Sequence, residues 1–205
     1  MNYLLRFIYR IRGIIVFLIC GLCFSLTTSA QDGTANPKVQ LETSMGTILI
    51  ELNQYAAPKT VDNFLHYVQS GFYDNTIFHR IIKSFMIQGG GFTLEMKQKE
   101  PQPPIINEAD NSLKNDTGTI AMARTNDPHS ATSQFFINVK DNDFLNHSAK
   151  TSNGWGYCVF GRVVKGMSVV HAIENVQTGA KFGYSDVPIQ PVLLKKATLV
   201  SNNTD

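Results

Sequence analysis

From residue 38 onward the sequence predicts a mainly β fold, a barrel or sandwich of many short strands accompanied by only two helices. Three observations lead there. Apolar and polar residues alternate over short runs, as at Ile48, Ile50 and Leu52; glycine, proline and asparagine punctuate those runs; and helical periodicity occurs in two places only. Of the two architectures a barrel is favoured, because closure removes the unpaired edges that a sandwich leaves open.

Taken in order, Val39 to Ser44 and Thr47 to Asn53 form two runs about Met45-Gly46, which reads as a hairpin. Pro58 opens the first helix, whose Val61, Phe64, Leu65 and Val68 fall at i, i+3, i+4 and i+7, and Gly71 closes it. Thr76 to Phe92, TIFHRIIKSFMIQGGGF, reads as strand, turn, strand and glycine turn. If it is extended, Phe78, Arg80 and Ile82 share one side, while Met86 and Gln88 share another. Phe92 to Gly118 lacks periodicity and is expected to be a long ordered loop, either functional or a stiff surface excursion.

Thr119 to Arg124 is the next strand. Gln134 to Val139 follows, with Gln134 and Phe136 on one face and Phe135, Ile137 and Val139 on the other, which is plainly core. An aromatic beside an amide suits a groove that receives a peptide. Asp141 to Tyr157 is a loop holding Phe144, Leu145 and the single tryptophan, Trp155. Tyr157 to Val164 is a strand, and Met167 to Val176 a helix with Val169, Val170, Ile173 and Val176 as its apolar stripe. Residues 177 to 190 read as loop, Pro191 to Val200 as the last strand, and residues 202–205 as a frayed tail.

The first 30 residues differ in kind. Arg6, Arg10 and Arg12 precede an uncharged run from Gly13 to Leu26, followed by small residues ending at Ala30, the layout of a cleavable secretory signal. The apolar run is short for a membrane span, and an uncleaved inner-membrane anchor is the alternative. Residues 31–37 are a polar lead-in. Of 18 basic and 16 acidic side chains, three arginines and no acid lie in the signal, so the remaining chain carries 15 against 16. The basic balance therefore belongs to the targeting segment and is no evidence for nucleic acid or a membrane surface as partner of the mature domain, and neither is expected as one. Cys20 and Cys23 lie in the signal; Cys158, in an apolar run, reads as a small buried hydrophobe, so no disulfide framework is expected. The five histidines lack metal-ligand spacing, so no metal site is expected. His79 is read as a hydrogen-bonded structural residue.

Arg80 stands out, a guanidinium in an apolar segment. It has to stay paired or wet, so it belongs on a rim: either an edge-strand arginine held by a surface carboxylate, or the wall of a cleft.

Phe78-His79-Arg80-Ile81-Ile82, Phe85-Met86-Ile87-Gln88-Gly89-Gly90, Ser133-Gln134-Phe135-Phe136-Ile137 and Phe160-Gly161-Arg162-Val163 together resemble the cyclophilins. The resemblance covers about residues 38 to 200, and the domain is set at 38–201. It is greatest to the short exported bacterial members. It implies a closed eight-stranded antiparallel β-barrel capped by two α-helices and cofactor-free peptidyl-prolyl cis-trans isomerase activity. It further implies that Arg80 is catalytic, that Phe85, Met86, Phe136 and Leu145 receive the proline ring, that Gln88 and Gln134 hold the substrate backbone, and that Ala123 and Arg124 pair with it.

The chain departs from many eukaryotic members at Phe144, where they have tryptophan, at Arg124, where they have asparagine, and at Tyr157, where they have histidine. Lys83-Ser84 replaces the usual Pro-Gly, and Gly91 an acidic residue. Phe144 and Tyr157 are counted with the substrate-binding residues, and cyclosporin is expected to bind weakly. The partners implied are proline-containing unfolded or partly folded polypeptides, met by a periplasmic monomer without stable membrane association after signal removal. A prolyl-peptide-binding module with little turnover is the alternative. N-terminal sequencing of the exported protein should return a start at or near Gln31; Met1, recovered in the membrane fraction, would contradict cleavage.

Overall fold

In the computed structural model, residues 36–200 are described. The signal, most of the lead-in and the tail expected at 202–205 lie outside them. The strands are β1 (Lys38–Thr43), β2 (Gly46–Leu52), β3 (Thr76–Phe78), β4 (Arg80–Ile82), β5 (Met86–Gly89), β6 (Thr119–Met122), β7 (Phe135–Asn138), β8 (Val159–Lys165), β9 (Thr178–Lys181), β10 (Tyr184–Pro188) and β11 (Val192–Val200). Helices α1 (Pro58–Gln69) and α2 (Met167–Glu174) and a single 3-10 turn at Asp143–Leu145 complete the described elements.

Nine strands form one antiparallel sheet in the order β3-β11-β1-β2-β8-β6-β7-β5-β4. Its two terminal strands, β3 and β4, are one segment interrupted only at His79, so the sheet closes on itself. Counted as one bent strand they make the eight of a closed barrel. The bend corrects the simple alternation expected of this stretch: Phe78 packs in the barrel core, whereas Ile82 joins an apolar cluster on the outside. It also overturns the separation of Met86 and Gln88 from Arg80. Antiparallel pairing sets Gln88 opposite Arg80 and Met86 opposite Ile82, so all four share a face.

Inside the barrel, Ile48, Ile50, Ile87, Ile120, Phe135, Ile137 and Phe160 are fully buried. Both helices add their apolar stripes to this core, Val61, Phe64 and Tyr67 from α1 and Val170 and Ile173 from α2. Phe64 lies 5.6 Å from Phe135 at an interplanar angle of 85° and 5.1 Å from Phe160, the edge-to-face and tilted contacts aromatic quadrupoles favour. Pro58 begins α1 as read, with Ala57 as a cap that supplies no side-chain acceptor. The orphan N–H groups are met instead by Glu108, which accepts from Lys59 N at 3.2 Å and Thr60 N at 2.9 Å. One use of the long 92–118 loop is therefore to cap a helix from a distance.

Two turns show how backbone conformation selects residues. Gly90, at φ +84°, brings the chain so close to Phe135 that a Cβ would sit 2.9 Å from its ring. Ser84 adopts φ +57° in the β4–β5 turn, at the position where the resemblance has glycine, so the substituted residue carries the left-handed strain. Residues 177–190 are not the loop that was expected. Gln177 is followed by an antiparallel hairpin of β9 and β10, separate from the barrel sheet. It escaped notice because TGAK and YSDVP carry neither β-branched runs nor clean alternation.

Candidate functional site

The outer face of β5 to β8 is apolar, although strands of a solvated barrel would ordinarily be polar there. All four residues of β7 are buried. Phe135 and Ile137 fill the core, and Phe136 points the other way to join Met86, Ala121, Leu145 and Val159 in a second apolar cluster. Ile82, Phe85, Ala123 and Tyr157 pack against that cluster. Above it lies a cavity of about 320 Å³. Of the residues singled out in the sequence, Arg80, Phe85, Met86, Gln88, Ala123, Arg124, Phe136, Leu145 and Tyr157 line it.

The remaining two sit beside it. Gln134 does not line the cavity but accepts a hydrogen bond from Gln88 Nε2 at 3.0 Å, which fixes the orientation of Gln88. Phe144 is 75% exposed at the rim, stacked on Phe85 with centroids 5.6 Å apart. Trp155 is elsewhere, its indole donating to the Asn107 carbonyl at 3.3 Å.

Two guanidinium groups reach the cavity, and they differ in what they have free. Arg124 donates from Nε to the Gly156 carbonyl at 2.9 Å and from Nη1 to the Thr125 carbonyl at 2.8 Å, while its fork lies 4.6 Å from the centre of the Tyr157 ring. Two of its five donors are therefore committed to backbone carbonyls and its plane is held over the ring. Arg80 makes one charged contact among the described residues, Nε to Asp186 Oδ2 at 3.7 Å, and forms no hydrogen bond to another side chain or carbonyl there. Both readings of Arg80 left open by the sequence thus hold at once: a carboxylate holds it, and it walls a cleft.

His79, at the bend, is buried, and its Nδ1 lacks a hydrogen-bond partner among the described residues. The expectation of a structural histidine stands, with the ring packed on Phe92 at 4.4 Å and hydrogen bonding from the Ile77 backbone and the Gln134 side chain acting on it. Burial pushes its pKa down to about 4, partly opposed by the Ile77 backbone and helped by the Arg80 charge. Cys158 is buried too, which pushes its thiol up to about 12, so it stays protonated and inert.

Asparagines hold the rim. Asn142 Nδ2 donates to the Phe85 carbonyl at 3.0 Å and to Asn138 Oδ1 at 2.8 Å, and Asn115 Nδ2 donates to the Leu145 carbonyl at 3.2 Å. The network ties the turn that carries Phe85 to the turn that carries Leu145. Asn115 is fully buried in it, so its Asn-Asp-Thr pattern is no accessible glycosylation acceptor. Sequence reasoning also missed Tyr184 and Ser185, which line the cavity from β10. Ser185-Asp186-Val187-Pro188 carries no signal that could have found them, since such turn-forming residues read as loop.

A small β-barrel thus carries an apolar, arginine-rimmed groove on its outer wall, of a shape and lining suited to an extended peptide. Comparison makes the class specific. Residues 38–199 match the family model described as cyclophilin type peptidyl-prolyl cis-trans isomerase/CLD. The chain is 65% identical over 162 residues to a peptidyl-prolyl cis-trans isomerase of Streptomyces antibioticus, covering 79% of this chain and 98% of that one. It is 56% identical over 161 residues to peptidyl-prolyl cis-trans isomerase B of Escherichia coli K12, covering 78% and 98%. A match to peptidyl-prolyl cis-trans isomerase A of Dickeya dadantii is 49% identical and extends over 92% of this chain and 98% of the relative. Among solved structures, a cyclophilin type isomerase of Cryptosporidium parvum, crystallised in the presence of the dipeptide Ala-Pro, superposes with a TM-score of 0.66 at 31% identity, covering 80% of this chain and 99% of that one. The chain belongs to the cyclophilin-type peptidyl-prolyl cis-trans isomerases.

The buried imidazole gives the fold a pH dependence. With a folded pKa of about 4 against 6.5 unfolded, His79 binds its proton more readily in the unfolded chain. Its neutral form is compatible with full stability above about pH 6.5, and stability falls as pH drops from 6.5 to 4, by at most about 3 kcal/mol in all. Urea denaturation of wild type and His79→Leu at pH 7 and pH 4.5 checks this. The wild type should lose clearly more stability between the two; equal losses would contradict the assignment.

Proposed function

We propose that this enzyme accelerates X-Pro isomerisation during the folding of exported proteins, with Arg80 as donor to the twisted amide nitrogen and the apolar floor as the seat of the proline ring. The observation that carries the proposal is the contrast between the two arginines: Arg124 is engaged by backbone carbonyls and Tyr157, while the terminal amino groups of Arg80 are uncommitted at the cavity. The planar amide resists rotation by about 18 to 20 kcal/mol because resonance gives its C–N bond double-bond character. As the bond twists, the nitrogen becomes pyramidal and regains its lone pair. A donor aimed there binds the twisted state and not the planar one, which is what catalysis requires. The planar guanidinium fork presents several donors, so one of them also reaches the neighbouring carbonyl.

By analogy with oxyanion holes, one such donor lowers the barrier by about 3 to 4 kcal/mol, or roughly a thousandfold. The rest falls to the floor of Phe85, Met86, Phe136 and Leu145, which grips the ring while the carbonyl leaves water that favours the planar form. Gln88, oriented by Gln134, and the edge at Ala123 and Arg124 hold the flanking backbone. Because the Ala123 N–H already donates to the Gln134 carbonyl at 2.9 Å, a peptide pairing at that edge uses the other backbone groups. The relative crystallised with Ala-Pro supports a prolyl peptide as ligand. The N-terminal signal pattern supports export to the periplasm, where slow X-Pro bonds limit folding, and the Dickeya match extends into that segment. An inner-membrane anchor remains the alternative form.

Weak cyclosporin binding belongs to the same reading. Phe144 presents no ring N–H, so the drug should bind less tightly than to Phe144→Trp by about 1 to 2 kcal/mol; equal affinities on titration would remove the indole as the reason.

Activity and binding separate at two residues. Arg80→Ala should lower kcat/KM by about two to three powers of ten and leave ground-state peptide affinity within a few fold, since the floor is untouched. Phe136→Ala should weaken binding and turnover together, because it removes buried aromatic contact. NMR exchange on a proline peptide gives both quantities. A wild-type rate in Arg80→Ala would make Arg80 a surface cation, and a wild type that binds without exchanging isomers would be a prolyl-binding module.

A further inference from the structure

We propose that Asp186 is a positioning residue for the reaction, holding the Arg80 guanidinium by its Nε edge so that the terminal amino groups face the groove. The inference rests on the reading of Arg80 given above, and it adds to it the β9–β10 hairpin as part of the machinery.

Several independent features of the hairpin converge on this side chain. In the β9–β10 pairing, Tyr184 is opposite Lys181 and Val187 opposite Gly179, so β10 advances three residues while β9 advances two. The extra residue makes a bulge, the device that re-aims a side chain out of a regular ladder. Asp186 occupies it with φ +60°, a left-handed conformation that aspartate tolerates better than most residues. The bulge is flanked on both sides by fixed points. Ser185 lines the cavity on one side, and on the other Val187 is buried against Ile77, Phe92 and Met96. Tyr184 is itself seated edge-on to Phe92 at 5.5 Å. The carboxylate is thus carried by backbone that is anchored to the barrel beside the bend at His79.

At the far end of the contact, Asp186 Oδ2 meets Arg80 Nε at 3.7 Å, with both side chains about two-fifths exposed. An exposed pair of this kind adds little to stability. Its value is orientation. An arginine side chain has several rotatable bonds, and a free fork at a cavity mouth would sweep between groove and solvent. The ion pair at the Nε edge, at 3.7 Å longer than a hydrogen bond, leaves every N–H donor of the fork for the substrate while favouring one direction for its terminal groups. Pre-orienting a donor in this way acts on the twisted amide, where Arg80 acts, and not on the binding of the planar peptide.

The mature domain and its Asp186→Ala, Asp186→Glu, Arg80→Ala and Arg80→Ala/Asp186→Ala variants test this by NMR exchange on a proline peptide, together with relaxation of the Arg80 Nε–H resonance. Asp186→Ala should lower kcat about tenfold with ground-state affinity unchanged, Asp186→Glu should recover most of the loss, and the Arg80 Nε–H should become more mobile in Asp186→Ala. In the Arg80→Ala background, Asp186→Ala should have no further effect. An unchanged kcat, a further tenfold loss when Asp186→Ala is added to Arg80→Ala, a loss confined to affinity, or an Nε–H as ordered as in wild type would each overturn the proposal. A wild-type rate in Arg80→Ala would instead sink the underlying reading of Arg80, and the two failures are therefore distinguishable.

Discussion

A guanidinium has to remain wet or paired, whereas a proline ring is best held in a dry pocket, and the fold reconciles the two by bending one strand at His79. Before the bend, Phe78 belongs to the barrel core. After it, Arg80 and Ile82 face outward across from Gln88 and Met86. The charge therefore stands at the mouth of an apolar cavity without being sealed in it, and the cluster of Met86, Phe136 and Leu145 forms the dry side. Much of the surrounding structure serves this arrangement. Gly90 lets the chain turn against Phe135, the asparagine network fixes the turns that bear Phe85 and Leu145, and the hairpin closes the side nearest Arg80.

The same sheet serves two cores, which explains the composition of its strands. In β7 successive residues alternate between the barrel interior and the groove, and both destinations are apolar. The strand consequently shows no solvated face, its one polar residue, Asn138, being buried and hydrogen-bonded to Asn115, Thr119 and Asn142. The proposed mechanism asks for no reactive nucleophile: Cys158 is held protonated by burial, and what the proposal asks of Arg80 is a hydrogen bond in the right place.

Much of this was legible in the residues. Periodicity located α1 and α2, the alternation of Gln134 to Val139 separated core from groove, and an isolated arginine in an apolar run pointed to a rim. Nine of the eleven residues singled out line one cavity. What was not legible has physical causes. A bend at a single residue cannot be read from alternation, which assumes a straight strand, so Phe78 was grouped with Arg80; nor does alternation give the register between strands that sets Gln88 opposite Arg80. The β9–β10 hairpin lacks the β-branched pattern that marks strands, and the partner it brings to Arg80 is 106 residues away in sequence. The buried asparagines looked like loop residues because their partners are backbone carbonyls supplied by distant turns.

The central claim is that the proline ring sits on the floor while Arg80 reaches over the amide that turns. A crystal structure of the mature domain with a short X-Pro peptide measures that directly. The account predicts the ring between Phe85, Met86, Phe136 and Leu145, with a terminal N–H of Arg80 about 3 to 3.5 Å from the prolyl amide group. A ring bound elsewhere, or Arg80 turned to solvent with its donors away from the peptide, would contradict it.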